Sequence, residues 1–249
     1  MVGTFRNRLR AGETLLGSMV TLPSPAIAEI LAEVGFDWLF IDGEHGPFET
    51  GDVVRILQAV GNRIACIVRV PAAEEAPIKK ILDQGAEGII VPQVNTVEQA
   101  ANVVRSARYS PLGSRGVGLS RAQGYGLTFQ KYLETANDRI AVIVQAEHAR
   151  AVENIESIVK VEGIDAVLVG PYDLAASLGK MGQIDDPVVT DAIEHVTKTC
   201  QAAGIPLGYF GASAAALRPY MNRGYTLITA GVDTLFLSGA AKRLLDELK

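Results

Sequence analysis

Eight short β-branched or apolar runs recur along the 249-residue chain, and stretches of helical periodicity separate them; this alternation constrains the fold more than any other feature. The runs are 15–21 (LLGSMVT), 38–42 (WLFID), 64–70 (IACIVRV), 88–92 (GIIVP), 140–146 (IAVIVQA), 166–170 (AVLVG), 206–210 (PLGYF) and 226–230 (TLITA). Between them, sets such as Ile27, Ile30, Leu31 and Val34, or Val152, Ile155, Ile158 and Val159, repeat at the spacing of one helix face. Ser24-Pro25 marks a helix start, and Gly35, Gly85 and Gly204 mark helix ends. Continuous apolar strands are buried on both faces, and strict β-then-α alternation makes them parallel with right-handed crossovers. Eight such units in a chain of this length predict one (β/α)8 TIM barrel spanning residues 1–249. The irregular stretch from Tyr109 to Gly126 is long for a compact domain, so an active-site loop insertion is expected at about 109–127, followed by a short helix near 128–136.

Composition excludes some partners. A net charge of -5 gives no basic surface to displace counterions from nucleic acid or to settle on an anionic membrane. The N-terminal segment has neither a signal-like cleavage site nor an apolar run long enough to span a bilayer, which reads as a cytoplasmic protein. Cys66 and Cys200 have no partner spacing and read as buried, reduced thiols.

Barrel active sites form at the C-terminal ends of the strands. There the sequence places Asp42, Glu44 and His45 after the second run, Arg69 at the end of the third, Gln145 and Glu147 at the end of the fifth, and Gly170, Pro171, Tyr172 and Asp173 after the sixth. Gln145 and Glu147, two apart in an extended segment, face the same way, toward the barrel interior. A carboxylate there needs a partner. Glu147 and Asp173 offer two hard oxygen ligands suited to an octahedral divalent ion; the alternative is that Glu147 pairs with an arginine and Asp173 caps the helix beginning near Leu174. Arg69, ending an apolar strand, should meet an anion, either a substrate carboxylate or Glu147 and Asp173. His45, in a Gly- and Pro-flanked loop, is placed to move protons, with a loop hydrogen-bonding role as the alternative. His148 and His195 read as structural or surface groups. The segments GYFGAS and AGVDT, after the last two runs, are either phosphate loops or tight turns.

The motifs GFDWLFIDGEHGP, IVRVP, YSPLGSRGVG, Gln145-x-Glu147 and VEGIDAVLVGPYDLAASLG, in order from about Leu16 to the last helix, resemble the HpcH/HpaI family of class II, pyruvate-dependent aldolases. The resemblance implies a barrel of the phosphoenolpyruvate/pyruvate type and a metal-dependent aldolase that interconverts 4-hydroxy-2-keto acids with pyruvate and an aldehyde. It further implies that Glu147 and Asp173 hold a divalent metal ion (Mg2+, Mn2+ or Co2+), that Arg69 holds the pyruvate oxygens, and that His45 is the acid/base. Gln145 matches a residue near the keto acid, and Asp42 and Asp83 match carboxylates near the histidine. Backbone amides from Gly170 to Asp173 would meet the pyruvate carboxylate at a helix N-terminus. Family members are homo-hexamers with sites near subunit boundaries. Two departures stand out: His148-Ala149 replaces a Thr- or Ser-containing step, and Tyr172 replaces a small residue. Rival readings are a decarboxylase or lyase acting on oxaloacetate or a malyl-type acid, a Schiff-base aldolase using Lys79 or Lys80, and a non-catalytic keto-acid-binding barrel.

Overall fold

The computed structural model describes residues 3–249. Its strands are β1 (Leu15–Val20), β2 (Trp38–Asp42), β3 (Ala65–Arg69), β4 (Gly88–Val91), β5 (Ala141–Ala146), β6 (Ala166–Val169), β7 (Leu207–Gly211) and β8 (Leu227–Val232). All pair in parallel with their sequence neighbours, and β8 returns to β1, closing the barrel. The helices are α1 (Phe5–Arg10), α2 (Pro25–Val34), α3 (Thr50–Val60), α4 (Glu75–Asp83), α5 (Val97–Ala107), α6 (Phe129–Arg139), α7 (Ala149–Glu153), α8 (Ile155–Ile158), α9 (Pro171–Ser177), α10 (Pro187–Ala202), α11 (Ala214–Met221) and α12 (Asp233–Glu247).

Every strand read from the sequence is present to within two residues at either end. The reason is the two-sided burial of a parallel barrel. Alternate residues of each strand fill an inner core, including Trp38, Phe40, Ile67, Ile143 and Leu168, while the others join the larger shell beneath the helices. Pro25 occupies the first turn of α2, and Gly35 ends that helix in the left-handed region at φ 97°.

Three features depart from expectation. First, α1 was not anticipated, because six residues are too few to show a period. Its Phe5 and Leu9 plug the inner core, Phe5 lying 5.8 Å from the Trp38 ring, and burying each is worth roughly 1.5–3 kcal/mol. Arg6 anchors the plug by donating to buried Asp165 at 2.8 Å.

Second, the segment at 109–127 does not cover the strand ends of its own chain. It leaves the C-terminus of α5 and leads toward β5, so it runs at the opposite end of the barrel from the C-terminal strand ends. There Arg121 donates to the carbonyls of Leu57 and Gln84 at 2.9 Å, closing the last turns of α3 and α4.

Third, α12 stands away from the barrel. Of its fifteen residues only Asp233 is buried, and Leu235, Leu237, Leu244 and Leu245 are at least half exposed. An apolar groove of about 340 Å³ between β1, β8 and α11, lined by Leu16, Phe36, Leu217, Met221 and Ile228, stays open where a barrel's last helix ordinarily packs. Among the described residues no helix is long and apolar enough to cross a membrane. Cys66 and Cys200 are free and buried, and burial pushes both thiols up to about 12.

Candidate active site

Strand period places the site. Trp38 and Phe40 face the interior, so Asp42 does too; Ala65 and Ile67 carry Arg69 inward; Ala141 and Ile143 carry Gln145 and then Glu147. The apolar layers thus end in a polar one at the C-terminal mouth, and Asp42, Arg69, Gln145 and Glu147 are all buried there.

Asp42 and Arg69 are register partners on adjacent strands. Arg69 Nε donates to Asp42 Oδ1 at 2.8 Å, and Nη2 lies 2.8 Å from Oδ2. Nη1 is the remaining edge, 3.1 Å from Glu44 Oε2 and 3.4 Å from Gln145 Oε1. Arg69 therefore meets Asp42 and Glu44, not Glu147 and Asp173. Burial pushes the Asp42 carboxyl up, but the hydrogen bonds and charge of Arg69, with backbone donors from His45 and Glu44, prevail and hold it below its ordinary value. Those two amides, at 3.3 and 3.2 Å, fold the loop that carries His45. The imidazole itself is exposed, its Nε2 3.7 Å from Glu44 Oε2.

Among the described residues Glu147 has no arginine or lysine partner. One oxygen accepts the Gln93 amide at 2.8 Å, and the other accepts from the Gln145 carboxamide. Burial, reinforced by the charges of Glu44 and Asp173, raises its pKa to about 7. Asp173 is exposed in the first turn of α9 and makes no capping hydrogen bond from its side chain. The two alternatives to metal binding, an arginine pair and a helix cap, are thus both absent. At Gly170 the backbone passes so close that an added Cβ would lie 2.8 Å from Glu147 Cβ and Oε2. Only glycine lets α9, with Pro171, Tyr172 and Asp173 in its first turn, approach this carboxylate.

Four carboxylates, Asp42, Glu44, Glu147 and Asp173, thus gather round one guanidinium, Arg69. That excess of negative charge, with Glu147 buried and lacking a cation, fits a divalent ion. Among the described residues no three acidic, His or Cys side chains form a ready-made ligand set, so Glu147 and Asp173 would leave the rest of the shell to water and substrate.

Asp83 is the one expected residue not brought here. It ends α4 at the opposite end of the barrel and pairs with Arg115 at 2.7 Å. Its place in the expected set came from the family likeness, whereas the end of a helix that leads into the next strand lies away from the mouth. Glu44 was placed at the strand ends but given no role, and Gln93 was not singled out. Glu44 lies inside the quoted IDGEHGP motif, whereas Gln93 contributes a backbone amide, which no side-chain pattern reports.

The other polar candidates are structural. His148 caps α7, its Nδ1 accepting the Arg150 amide at 3.0 Å, and His195 pairs with Glu156 on the surface at 3.2 Å. After β8, Asp233 accepts from the Thr21 amide and hydroxyl and the Leu22 amide at 2.7–2.9 Å, tying β8 to β1. Lys79 lies on α4 beside Glu75.

Residues 16–240 match the HpcH/HpaI aldolase/citrate lyase family. The chain is 41% identical over 239 residues to a 4-hydroxy-2-oxovalerate aldolase from Rhodococcus jostii, covering 95% of this chain and 92% of that one. It is 40% identical to a hydroxypyruvate/pyruvate aldolase from Cupriavidus necator, covering 96% and 90%. A solved HpcH/HpaI aldolase/citrate lyase family protein from Burkholderia cenocepacia superposes with a TM-score of 0.94 at 41% identity, over 98% of both chains.

Proposed function

Because the chain belongs to the HpcH/HpaI aldolase/citrate lyase family and is a carbon–carbon lyase of the aldolase kind, we propose that it cleaves and forms 4-hydroxy-2-keto acids with divalent-metal assistance, yielding pyruvate and an aldehyde. The observation that carries this reading is Glu147: a buried carboxylate, unpaired with any cation among the described residues, that feels the charges of Asp173 and Glu44, the latter held by Nη1 of Arg69.

A divalent cation held by Glu147 and Asp173, whether Mg2+, Mn2+ or Co2+, would supply Lewis acidity to the keto acid. Arg69 spends Nε and Nη2 on Asp42, which fixes the guanidinium plane and presents Nη1 to the keto oxygen as enolate charge develops. Gln145, between Arg69 and Glu147, donates to the carboxylate and orients it. The amides of Tyr172 and Asp173 follow Pro171 and have no helical carbonyl within reach, so they face the pyruvate carboxylate from the end of α9. His45, exposed at the mouth, takes the C4 hydroxyl proton in cleavage and returns it in condensation. Asp42 positions it through the loop backbone.

Thorough chelation followed by Mn2+ or Mg2+ addition tests the scheme. Activity should vanish and return; full activity in stripped protein overturns it. Pyruvate release from oxaloacetate against release from hydroxy-keto acids separates the aldolase from a decarboxylase, and borohydride trapping with pyruvate would point instead to a lysine Schiff base.

The uncovered groove and the apolar face of α12 further support a homo-oligomer, a hexamer in this reading, in which a second copy of α12 covers the groove. Two buried reduced thiols suit the cytoplasm.

A further inference from the structure

Gln93 follows β4 in the left-handed region, at φ 54°, one of two described non-glycine residues there. Its side chain is exposed, so packing does not explain why a residue with a Cβ sits in this conformation. Its amide does: it donates to Glu147 Oε1 at 2.8 Å, across the β4–β5 boundary. The surrounding turn enforces the conformation. Gln99 accepts from the Asn95 and Thr96 amides at 2.7 and 3.1 Å, and Asn154 donates to the Asn95 carbonyl at 3.0 Å. Strain of this kind persists only where neighbours over-determine it, and it concentrates at functional sites.

We infer that Gln93 is a positioning residue, whose left-handed backbone aims an amide at Glu147 Oε1 and so fixes the rotation of that carboxylate toward Asp173. Glu147 is then held from both sides, by the Gln93 amide on one oxygen and by the Gln145 carboxamide on the other. Gly170 closes the third side. Without the amide the carboxylate would turn about its terminal torsion, which is broad and weakly restrained on its own, and the ligand pair would lose its preorganisation.

This inference rests on the assignment of Glu147 as a metal ligand, and its test reads metal affinity apart from turnover. Mn2+ binding to the purified, assembled protein is measured by calorimetry for Gln93→Asn, Gln93→Gly, Gln93→Ala and Gln93→Val. Asparagine and glycine tolerate the left-handed region, so both should bind Mn2+ within about threefold of wild type. Valine, branched at Cβ, is driven out of it and should bind at least tenfold more weakly, with alanine in between. Should the valine chain not fold, the alanine chain carries the comparison. Equal affinity across the series overturns the inference, as does equal loss in the asparagine and glycine chains, which would place the effect in the side chain. Wild-type protein that neither binds Mn2+ nor releases pyruvate overturns the functional reading instead.

Discussion

Arg69 grips Asp42 through two parallel contacts of 2.8 Å between register partners on neighbouring strands, which leaves a single guanidinium nitrogen facing the mouth of the barrel. One pair thereby sets both the plane of the substrate-facing cation and the loop that carries His45.

Lysine has no planar fork, so Arg69→Lys cannot grip Asp42 through two nitrogens and also direct a third toward Glu44 and the mouth. Its kcat/KM for retro-aldol cleavage should fall about 100-fold, roughly 3 kcal/mol of transition-state stabilisation. Asp42→Asn should cost about 2 kcal/mol of stability, less than a fully buried broken pair because Glu44 still faces the guanidinium, and lower Tm by roughly 4–8 °C in thermal melts.

Glu147 should give the metal-free protein a stability that falls as pH rises. Its folded pKa of about 7 lies above its ordinary 4.5, so the folded chain keeps a proton that the unfolded chain has lost between those values, and deprotonation on the way to pH 8 removes up to about 3 kcal/mol. Asp42 behaves oppositely: its contribution is present above its ordinary value of 3.8 and is lost only in stronger acid, outside this window. Melts of chelated protein at pH 5.5 and 8 should therefore differ more for wild type than for Glu147→Gln. A variant as pH-sensitive as wild type would remove this carboxylate as the source.

His45→Gln should separate two reactions of one enolate. Cleaving a hydroxy-keto acid requires removal of a hydroxyl proton, whereas loss of carbon dioxide from oxaloacetate does not. Retro-aldol kcat should drop by about 10²–10⁴ while oxaloacetate decarboxylation stays within a few-fold. Parallel loss of both would give the imidazole a binding role.

Leu244→Asp with Leu245→Asp places two charges on the exposed face of α12. If a second copy buries that face, sedimentation should report a smaller particle than wild type, because an unpaired carboxylate in an apolar groove is strongly unfavourable. An unchanged particle would locate the assembly contact elsewhere.

The barrel was legible because its signal is local and repeated. Each strand must be apolar on both faces, and each helix must show an apolar stripe, so eight independent segments carry the same message. The polar strand ends were legible for the same reason: a charged residue such as Arg69, two steps beyond Ile67, has to point where Ile67 points. Asp83 and the 109–127 segment were misplaced because motif likeness and loop length were read without chain direction: with β up and α down, the C-terminus of a helix and the loop after it lie at the N-terminal strand ends.

The sequence alone thus determined the architecture and the inward direction of Asp42, Arg69, Gln145 and Glu147, which depend on spacing along the chain, and its ordered motifs carried the likeness to the family. Only the tertiary structure decided who partners whom: that Arg69 goes to Asp42 and leaves Glu147 without a cation, that the Gln93 amide supports Glu147, and that α12 stands off its own barrel. Such pairings compare distances between residues tens of positions apart, and a distance of that kind exists only once the strands have closed into a ring.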